Sequence, residues 1–302
     1  MLVISDLHWR CDTPAWRKEE NYPRDVLRPM LGACLDRGES ICVAGDLFHR
    51  SANFADVYDL YTFLLERNEG GMFNDIYVVP GQHDMTYHSS TIEATGFNLL
   101  VKSGLVVALG AKAIDVEGLS VCGMGWGQDM PKEGDILIAH VSVSHGDAVI
   151  KGASTASAFR KNGAHFAYVF TGDNHKRFCV SDCGLPNLKI SGTGLYNAGC
   201  FHRMSIDLEN QPPAAWHLCD DGDVAEWLIP SPKPLVNLSH KLKKEKGTAI
   251  AGKEFAEALS RARAEGGGEV FLTTLKEALA TSIGEQQTIL AEVVKKCEES
   301  EL

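Results

Sequence analysis

Five short apolar runs, each ending in a cluster of acidic, amide or imidazole side chains, set the pattern of this chain. They are Leu2-Val3-Ile4-Ser5-Asp6-Leu7-His8, Ile41-Cys42-Val43-Ala44-Gly45-Asp46-Leu47-Phe48-His49, Ile76-Tyr77-Val78-Val79-Pro80-Gly81-Gln82-His83-Asp84, Ile136-Leu137-Ile138-Ala139-His140 and Tyr168-Val169-Phe170-Thr171-Gly172-Asp173-Asn174-His175. Continuous β-branched runs predict buried parallel strands, and open α/β sheets build their sites at the C-terminal ends of such strands. Between the first runs the period changes. Val26, Leu27, Met30, Leu31 and Leu35 predict a helix over 22–36, and Val57, Leu60, Tyr61 and Leu64 predict a second over 54–68. Strand, site loop, helix and strand thus repeat as βαβ units.

From Leu99 the texture shifts to short strand-like pieces at 105–109, 113–116 and 120–123, which predict a second, more antiparallel sheet. The stretch 145–163 reads as loop and helix. Further strand-like pieces follow at 195–200 and 203–208. The segments 214–219 and 224–229 form a hairpin about Asp220-Asp221-Gly222-Asp223. The expected fold is α/β, with two sheets packed face to face and helices outside, an αββα sandwich. Pro230-Ser231-Pro232-Lys233-Pro234 reads as a linker dividing residues 1–229 from a Lys-rich, then helical, region at 230–302. Helices are expected there over 253–264, 270–282 and 285–297. In the last, Ile289, Val293 and Cys297 form one apolar face, which packs either on the rest of the chain or on a partner.

Composition narrows the picture in two ways. With 302 residues, 44% hydrophobic and 23% charged, the chain is an ordinary globular protein with ample material for a core. No apolar run is long enough to span a bilayer, and Met1 leads into strand-like residues without a basic leader region. The expectation is therefore an intracellular protein, cytoplasmic or nucleoid-associated, away from membranes. Nine cysteines, several inside apolar runs such as Cys42 and Cys122, read as free thiols; Cys179 and Cys183 lack the second pair that a zinc ribbon needs. The net charge of −11 argues against coating nucleic acid by bulk electrostatics. The excess lies wholly in residues 1–229, with 18 basic against 29 acidic residues, while 230–302 carry 11 of each. Carboxylates gathered to hold divalent cations belong to that excess.

Two divalent ions working on one phosphodiester need a bridging carboxylate and hard oxygen or nitrogen ligands on each side. The ordered set Asp-x-His, Gly-Asp-x-x-His, Gly-Gln-His-Asp, a lone His and Gly-Asp-x-His supplies them, and it resembles the calcineurin-like metallophosphoesterases over residues 1 to about 208. Phosphoprotein phosphatases of that superfamily carry Gly-Asp-x-x-Asp-Arg-Gly at the second motif. Gly45-Asp46-Leu47-Phe48-His49 is instead similar to the SbcD-type nuclease subunit of double-strand-break repair complexes, as is Asn197-Ala198-Gly199-Cys200 after the last motif.

The resemblance implies a first metal held by Asp6, His8, Asp46 and His175, and a second held by Asp46, Gln82, His140 and Asp173. It implies that His83, oriented by Asp84, protonates or stabilises the leaving oxygen, and that His49 positions the phosphate. Two positions depart from the family pattern: Gln82 stands where Asn is usual, and Asp173 where the first His of the last motif is usual. Three acidic ligands shift the expected metal toward Mn²⁺ or Mg²⁺ and away from zinc. The implied function is a two-metal-dependent DNA nuclease, an exonuclease of repair or recombination. The alternatives are a small-molecule or cyclic-nucleotide phosphodiesterase, and a catalytically impaired DNA-binding subunit. Implied partners are DNA, a second copy of the chain as a homodimer, and an SMC-like coiled-coil ATPase, since this chain has no Gly-x-x-x-x-Gly-Lys-Ser/Thr loop.

Several residues keep two readings. His145 rivals His140 as a ligand, His49 also reads as a helix cap, and Asp173 as a turn residue. Arg10, Arg50, Lys176 and Arg177, with Arg17, Lys18 and Arg203 nearby in sequence, read as phosphate-binding groups or as solvated surface. Trp9 and Trp16 read as base-stacking or as core and rim residues.

Overall fold

The computed structural model describes residues 1–50, 53–69, 75–85, 92–146, 150, 152–180 and 194–237. The chain divides into two units, Met1–Val236 and Asn237–Leu302, and every described strand and helix belongs to the first. The helices expected beyond residue 252 lie outside the described residues, as does Cys183.

In chain order the first strand β1 (Leu2–Ile4) leads through a long loop to a π-helical turn at Pro23–Leu27 and helix α1 (Arg28–Leu35). Strand β2 (Ile41–Val43), helix α2 (Phe54–Glu69) and strand β3 (Ile76–Val78) complete the two βαβ units. Helix α3 (Gly96–Lys102) and strand β4 (Val107–Ala108) follow. Next come β5 (Ile114–Val116), β6 (Leu119–Met124), β7 (Ile136–His140), β8 (Val143–Ser144) and β9 (Ser154–Thr155). Helix α4 (Ala156–Asn162) precedes β10 (Tyr168–Gly172), β11 (Phe178–Val180) and β12 (Gly194–Asn197). The hairpin β13 (Ala214–Leu218) and β14 (Val224–Leu228) closes the described part.

These strands form two six-stranded sheets, ordered β14-β13-β1-β2-β3-β4 and β11-β12-β10-β7-β6-β5, with β8 and β9 as a separate pair. Alternation along each strand explains the layering. Leu2, Ile4, Ile41, Val43, Ile76 and Val78 face outward onto Leu31, Leu35, Leu60, Phe63 and Phe97 of the helices. Val3, Cys42 and Tyr77 face inward onto Val121, Ile136, Ile138, Phe170 and Tyr196 of the second sheet. On the far side Leu137, Ala139, Val169 and Leu195 pack on Ala156 and Phe159 of α4. The result is the expected sandwich of two sheets between helices.

Five local readings change. The second sheet is parallel through its centre, β12-β10-β7-β6, and antiparallel only where β11 and β5 form its edges. The reason is burial on both faces: every residue of Ile136–His140 is buried, the signature of a central parallel strand. The piece at 105–109 contributes β4 to the edge of the first sheet, beside β3, rather than to the second. The segment expected as strand at 203–208 contains a 3₁₀ turn at Ile206–Leu208. Helix α3 was not signalled by a period, being only two turns long; the Thr95 hydroxyl caps it by accepting the Asn98 amide at 3.4 Å. The Pro-rich segment is bound to the first unit: Arg203 donates to Ser231 Oγ, the Leu235 amide donates to Glu19 Oε1 at 3.1 Å, and Val236 bridges Arg17. Among the described residues no helix is long and apolar enough to cross a membrane.

Candidate metal centre

Register carries the five motif loops to one edge. Ile4, Val43 and Val78 end neighbouring parallel strands side by side, and Gly172 pairs with His140 in the facing sheet. The backbone at this edge is strained. Of the five described non-glycine residues with left-handed φ, four are Asp6 (52°), His8 (42°), Asp46 (50°) and Asp173 (74°). Each such conformation costs on the order of 1–3 kcal/mol and persists only where its surroundings enforce it. The glycines explain part of the enforcement. A Cβ on Gly45 would lie 2.1 Å from His140 Nδ1, and one on Gly81 would lie 2.0 Å from Asp46 Oδ1, so both loops close on the ligands only without side chains.

Around Asp6 the polar tips converge on one point. Asp6 Oδ2 is occupied by the Ser5 hydroxyl at 2.5 Å and the Asp173 amide at 3.1 Å. Its buried Oδ1 has no hydrogen-bond partner, yet lies 3.5 Å from His175 Nε2 and 3.6 Å from His8 Nε2. Those two nitrogens are 3.2 Å apart. Asp46 repeats the division: Oδ1 accepts the His83 amide at 2.9 Å, and the buried Oδ2 is unpartnered. That Oδ2 sits 3.7 Å from His8 Nε2 and 3.5 Å from His140 Nε2, between the two groups of ligands. Two buried carboxylate oxygens without donors are costly unless a cation completes them. The donor set fits such an ion, and the compact groups Asp6–His8–His175, His8–Asp46–His83 and Asp6–Asp46–His140 have the spacing to hold one.

The other half is a chain of hydrogen bonds. His140 Nδ1 donates to the Ala44 carbonyl at 2.6 Å, which turns Nε2 toward Gln82 Oε1 at 2.7 Å. Gln82 Nε2 donates to Asp173 Oδ1 at 2.6 Å, and the Ser142 hydroxyl donates to Asp173 Oδ2. Asp173 Oδ1 is 3.7 Å from His140 Nε2. The structure thus gathers Asp46, Gln82, His140 and Asp173 as expected from the motifs. His145, the rival, is exposed and packs on Phe178 instead.

Carboxylates and imidazoles in the cluster shift one another's ionisation. Burial opposes ionisation of Asp6, but the facing imidazoles of His175 and His8 outweigh it and hold the carboxyl well below its usual range. Asp46 is lowered likewise, burial being outweighed by His140. Burial pulls His140 down, but Asp46 wins and pushes it up to about 10; His175 is raised by Asp6 against the same penalty.

Residues 1–177 match the family model described as calcineurin-like phosphoesterase. The chain belongs to that family. No curated protein matches it significantly. Solved structures that resemble this phosphoesterase include a protein of Thermus thermophilus, at 12% identity over 76% of this chain and 98% of that one, with a TM-score of 0.44. A metallophosphoesterase from Sphaerobacter thermophilus is 14% identical over 76% and 88% of the two chains, with a TM-score of 0.40. A dimetal phosphatase from Danio rerio is 10% identical over 78% and 98%, with a TM-score of 0.41.

The remaining motif residues of the phosphoesterase sort by what they touch. The His83 and His49 rings stack at 5.9 Å, and each meets His8 edge-on, at 5.1 and 5.6 Å. Burial, with the charges of Arg10, His8 and His83, lowers His49 to about 3, and its buried Nδ1 is unpartnered. Asp84 reaches the backbone. Its buried carboxylate accepts the amides of Gly81, Leu47 and Phe48 at 2.9, 3.1 and 3.0 Å, so it staples the Asp46 loop to the Gln82 turn. Burial and the nearby Asp46 push it up to about 7.

Arg10 and Arg50 meet at Asp12, the latter at 2.9 Å, and both charges bear on His49. Lys176 is exposed beside His175 in sequence. The Arg177 guanidinium is held by Glu226 and donates to the Pro212 carbonyl at 2.8 Å, which ties the loop to β14. Trp9 and Trp16 are core residues, donating to Asp59 at 2.9 Å and to the Met204 carbonyl at 2.6 Å. Sequence reasoning missed Ser5 and Ser142, for which the only signal was adjacency to ligands. It also missed the work of Asn197, whose amide donates to the carbonyls of Asn174 and Lys176 and so fixes the loop bearing His175.

Proposed function

We propose that this phosphoesterase is a two-metal DNA nuclease. The observation that carries the reading is the parallel pair His49 and His83 set against His8 on the side of the cluster where Arg10 and Arg50 gather. Divalent cations bound at the two halves would polarise the phosphoryl oxygens and neutralise charge as it develops. The chain supplies the rest. Asp46 Oδ2 lies between the halves and serves both. His83, held by its amide to Asp46 Oδ1, offers an imidazole to the leaving oxygen, while His49, kept neutral beside the arginines, accepts a contact from the approaching strand. Arg10 and Arg50 bind flanking phosphates. Three carboxylates, Asp6, Asp46 and Asp173, favour Mn²⁺ or Mg²⁺. Lacking a nucleotide-binding Gly-rich loop, the subunit takes any ATP dependence from a partner, which we place as an SMC-like ATPase.

The test is to incubate the protein with linear duplex DNA, circular single-stranded DNA and a chromogenic phosphodiester, each with Mn²⁺, Mg²⁺ or EDTA. Metal-dependent cleavage of DNA, abolished in Asp46→Ala and strongly reduced in His83→Ala, is expected. Hydrolysis of the small diester alone would overturn the nuclease reading in favour of a small-molecule phosphodiesterase.

A further inference from the structure

Of the five tryptophans, Trp9, Trp16 and Trp216 are buried and Trp227 is half-buried under Arg37; Trp126 is the exposed one. Burial normally accounts for a tryptophan, because its ring removes a large apolar area from water. Trp126 leaves 36% of its surface open. Its position is fixed nonetheless. It follows the C-terminal end of β6, next to β7, which delivers His140. Its amide donates to the Pro80 carbonyl at 2.9 Å, in the turn that carries Gln82, and the Gln128 side chain closes the loop by accepting the Gly125 amide at 2.8 Å. The Trp126 ring meets His140 edge-on, with centroids 6.3 Å apart. Among the described residues the two other exposed aromatics, Phe54 and Tyr58, stack on each other on α2. An exposed indole whose loop is held by hydrogen bonds, in ring contact with a candidate metal ligand, is a platform beside the site.

We infer that Trp126 is the specificity element of this site, a surface on which a nucleobase next to the scissile phosphodiester stacks. Base–aromatic stacking tolerates any sequence, since every base has a π-face, and alanine substitution typically removes about tenfold or more in affinity per base. The surrounding charge suits a neutral ring rather than a phosphate: Asp129 is exposed in the same loop, whereas the arginines lie on the His49 side. The substrate is thereby gripped at two places, phosphates by the Arg10–Arg50 side and a base by Trp126.

The inference rests on the nucleotide-diester reading of the site, and the experiment separates the two. Mn²⁺-loaded wild type, Trp126→Ala and Trp126→Phe are assayed on a single-stranded oligonucleotide and on its counterpart with abasic residues. Wild type is expected to show a KM about tenfold lower for the base-containing strand. Trp126→Ala should erase most of that gap through KM, and Trp126→Phe should restore most of it. An undiminished gap in Trp126→Ala, or an equal loss on both strands, overturns the inference. Should wild type cleave neither strand yet hydrolyse a chromogenic diester, the nuclease reading fails and fluorescence decides the platform. Quenching by adenosine monophosphate but not by ribose 5-phosphate, absent in Trp126→Phe, supports it; quenching unchanged in Trp126→Phe, or none in wild type, overturns it.

Discussion

Around Asp6, His8 and His175 a buried carboxylate oxygen accepts nothing and two imidazole nitrogens converge on it, whereas Gln82, His140 and Asp173 have their tips already bonded to one another. The first half gives up only the contact between the His8 and His175 nitrogens when a cation arrives. The second must release an amide–carboxylate bond, and Asp173 must turn from Ser142 or bind through the other oxygen. Backbone strain does not separate them, since Asp6 and Asp173 are both left-handed. What separates them is the two substitutions of the family pattern. Gln82 carries its amide donor one methylene farther, Asp173 offers a carboxylate acceptor, and together they close this contact. The difference teaches that ligand identity alone does not set affinity; the hydrogen bonds a ligand must abandon count as well.

The largest effect should come from the residue the halves share. Asp46→Ala removes the carboxylate between His8 and His140 and leaves both rings without their counter-charge. Activity should fall by roughly a hundredfold or more, beyond the usual cost of disturbing a supporting residue, and bound Mn²⁺ measured on the folded protein should drop in both halves. Retention of two ions per chain would break the comparison at its root.

Next in size is a change confined to the second half. Ser142→Ala frees Asp173 Oδ2 from its hydroxyl donor. Calorimetric titration with Mn²⁺ should resolve a tight and a weak event in wild type. The substitution should shift the weak one by about tenfold and leave the tight one in place. A shift of the tight event instead would show that the halves are not independent.

The layers, the βαβ units and the five strand-ending motifs were legible because apolar runs and helical periods are local signals. Pairing partners were less so: β4 joined the first sheet and the middle of the second proved parallel, because which strands neighbour each other depends on chain segments far apart. At the site, the motifs named side chains that do converge, but they said nothing of which face each would present. Asp84 turned to the amides of Leu47 and Phe48 and Arg177 to Glu226, contacts made by residues 36 or more positions away. Trp9 and Trp16 were sunk into the core for the same reason, while Trp126, inside a Gly-rich turn, stayed at the surface.

Asp84 supports both halves, since its carboxylate joins the loop of Asp46 to the turn of Gln82. Asp84→Asn keeps the shape but offers only one accepting oxygen, so at least one buried amide loses its partner. The expected cost is about 2 kcal/mol, roughly 6 °C in Tm by thermal denaturation of the metal-free protein. An unchanged Tm would mean that the loop is held by the ligands' mutual contacts alone.

The smallest effect tests the scaffold, so that acid loss of activity is not credited to either half by mistake. Arg17 and Glu19 are 1% and 4% exposed in their side chains; the guanidinium Nε donates to the two carboxylate oxygens at 2.9 and 3.0 Å and stacks over Trp16 and Tyr22. Burial opposes ionisation of Glu19, but Arg17 outweighs it and the pKa is lowered from the ordinary value of 4.5. The unfolded chain therefore takes up this proton first as pH falls. The pair's contribution is complete above about 4.5 and is lost progressively below it, as pH drops through the lowered folded value. In metal-free protein, Glu19→Gln should lower Tm at pH 7 and flatten its decline between about pH 5 and pH 3 by roughly 3 °C. If the wild-type and variant curves instead run parallel through that range, the acid sensitivity lies in the ligand carboxylates, and the contrast between the two halves has to be measured at neutral pH alone.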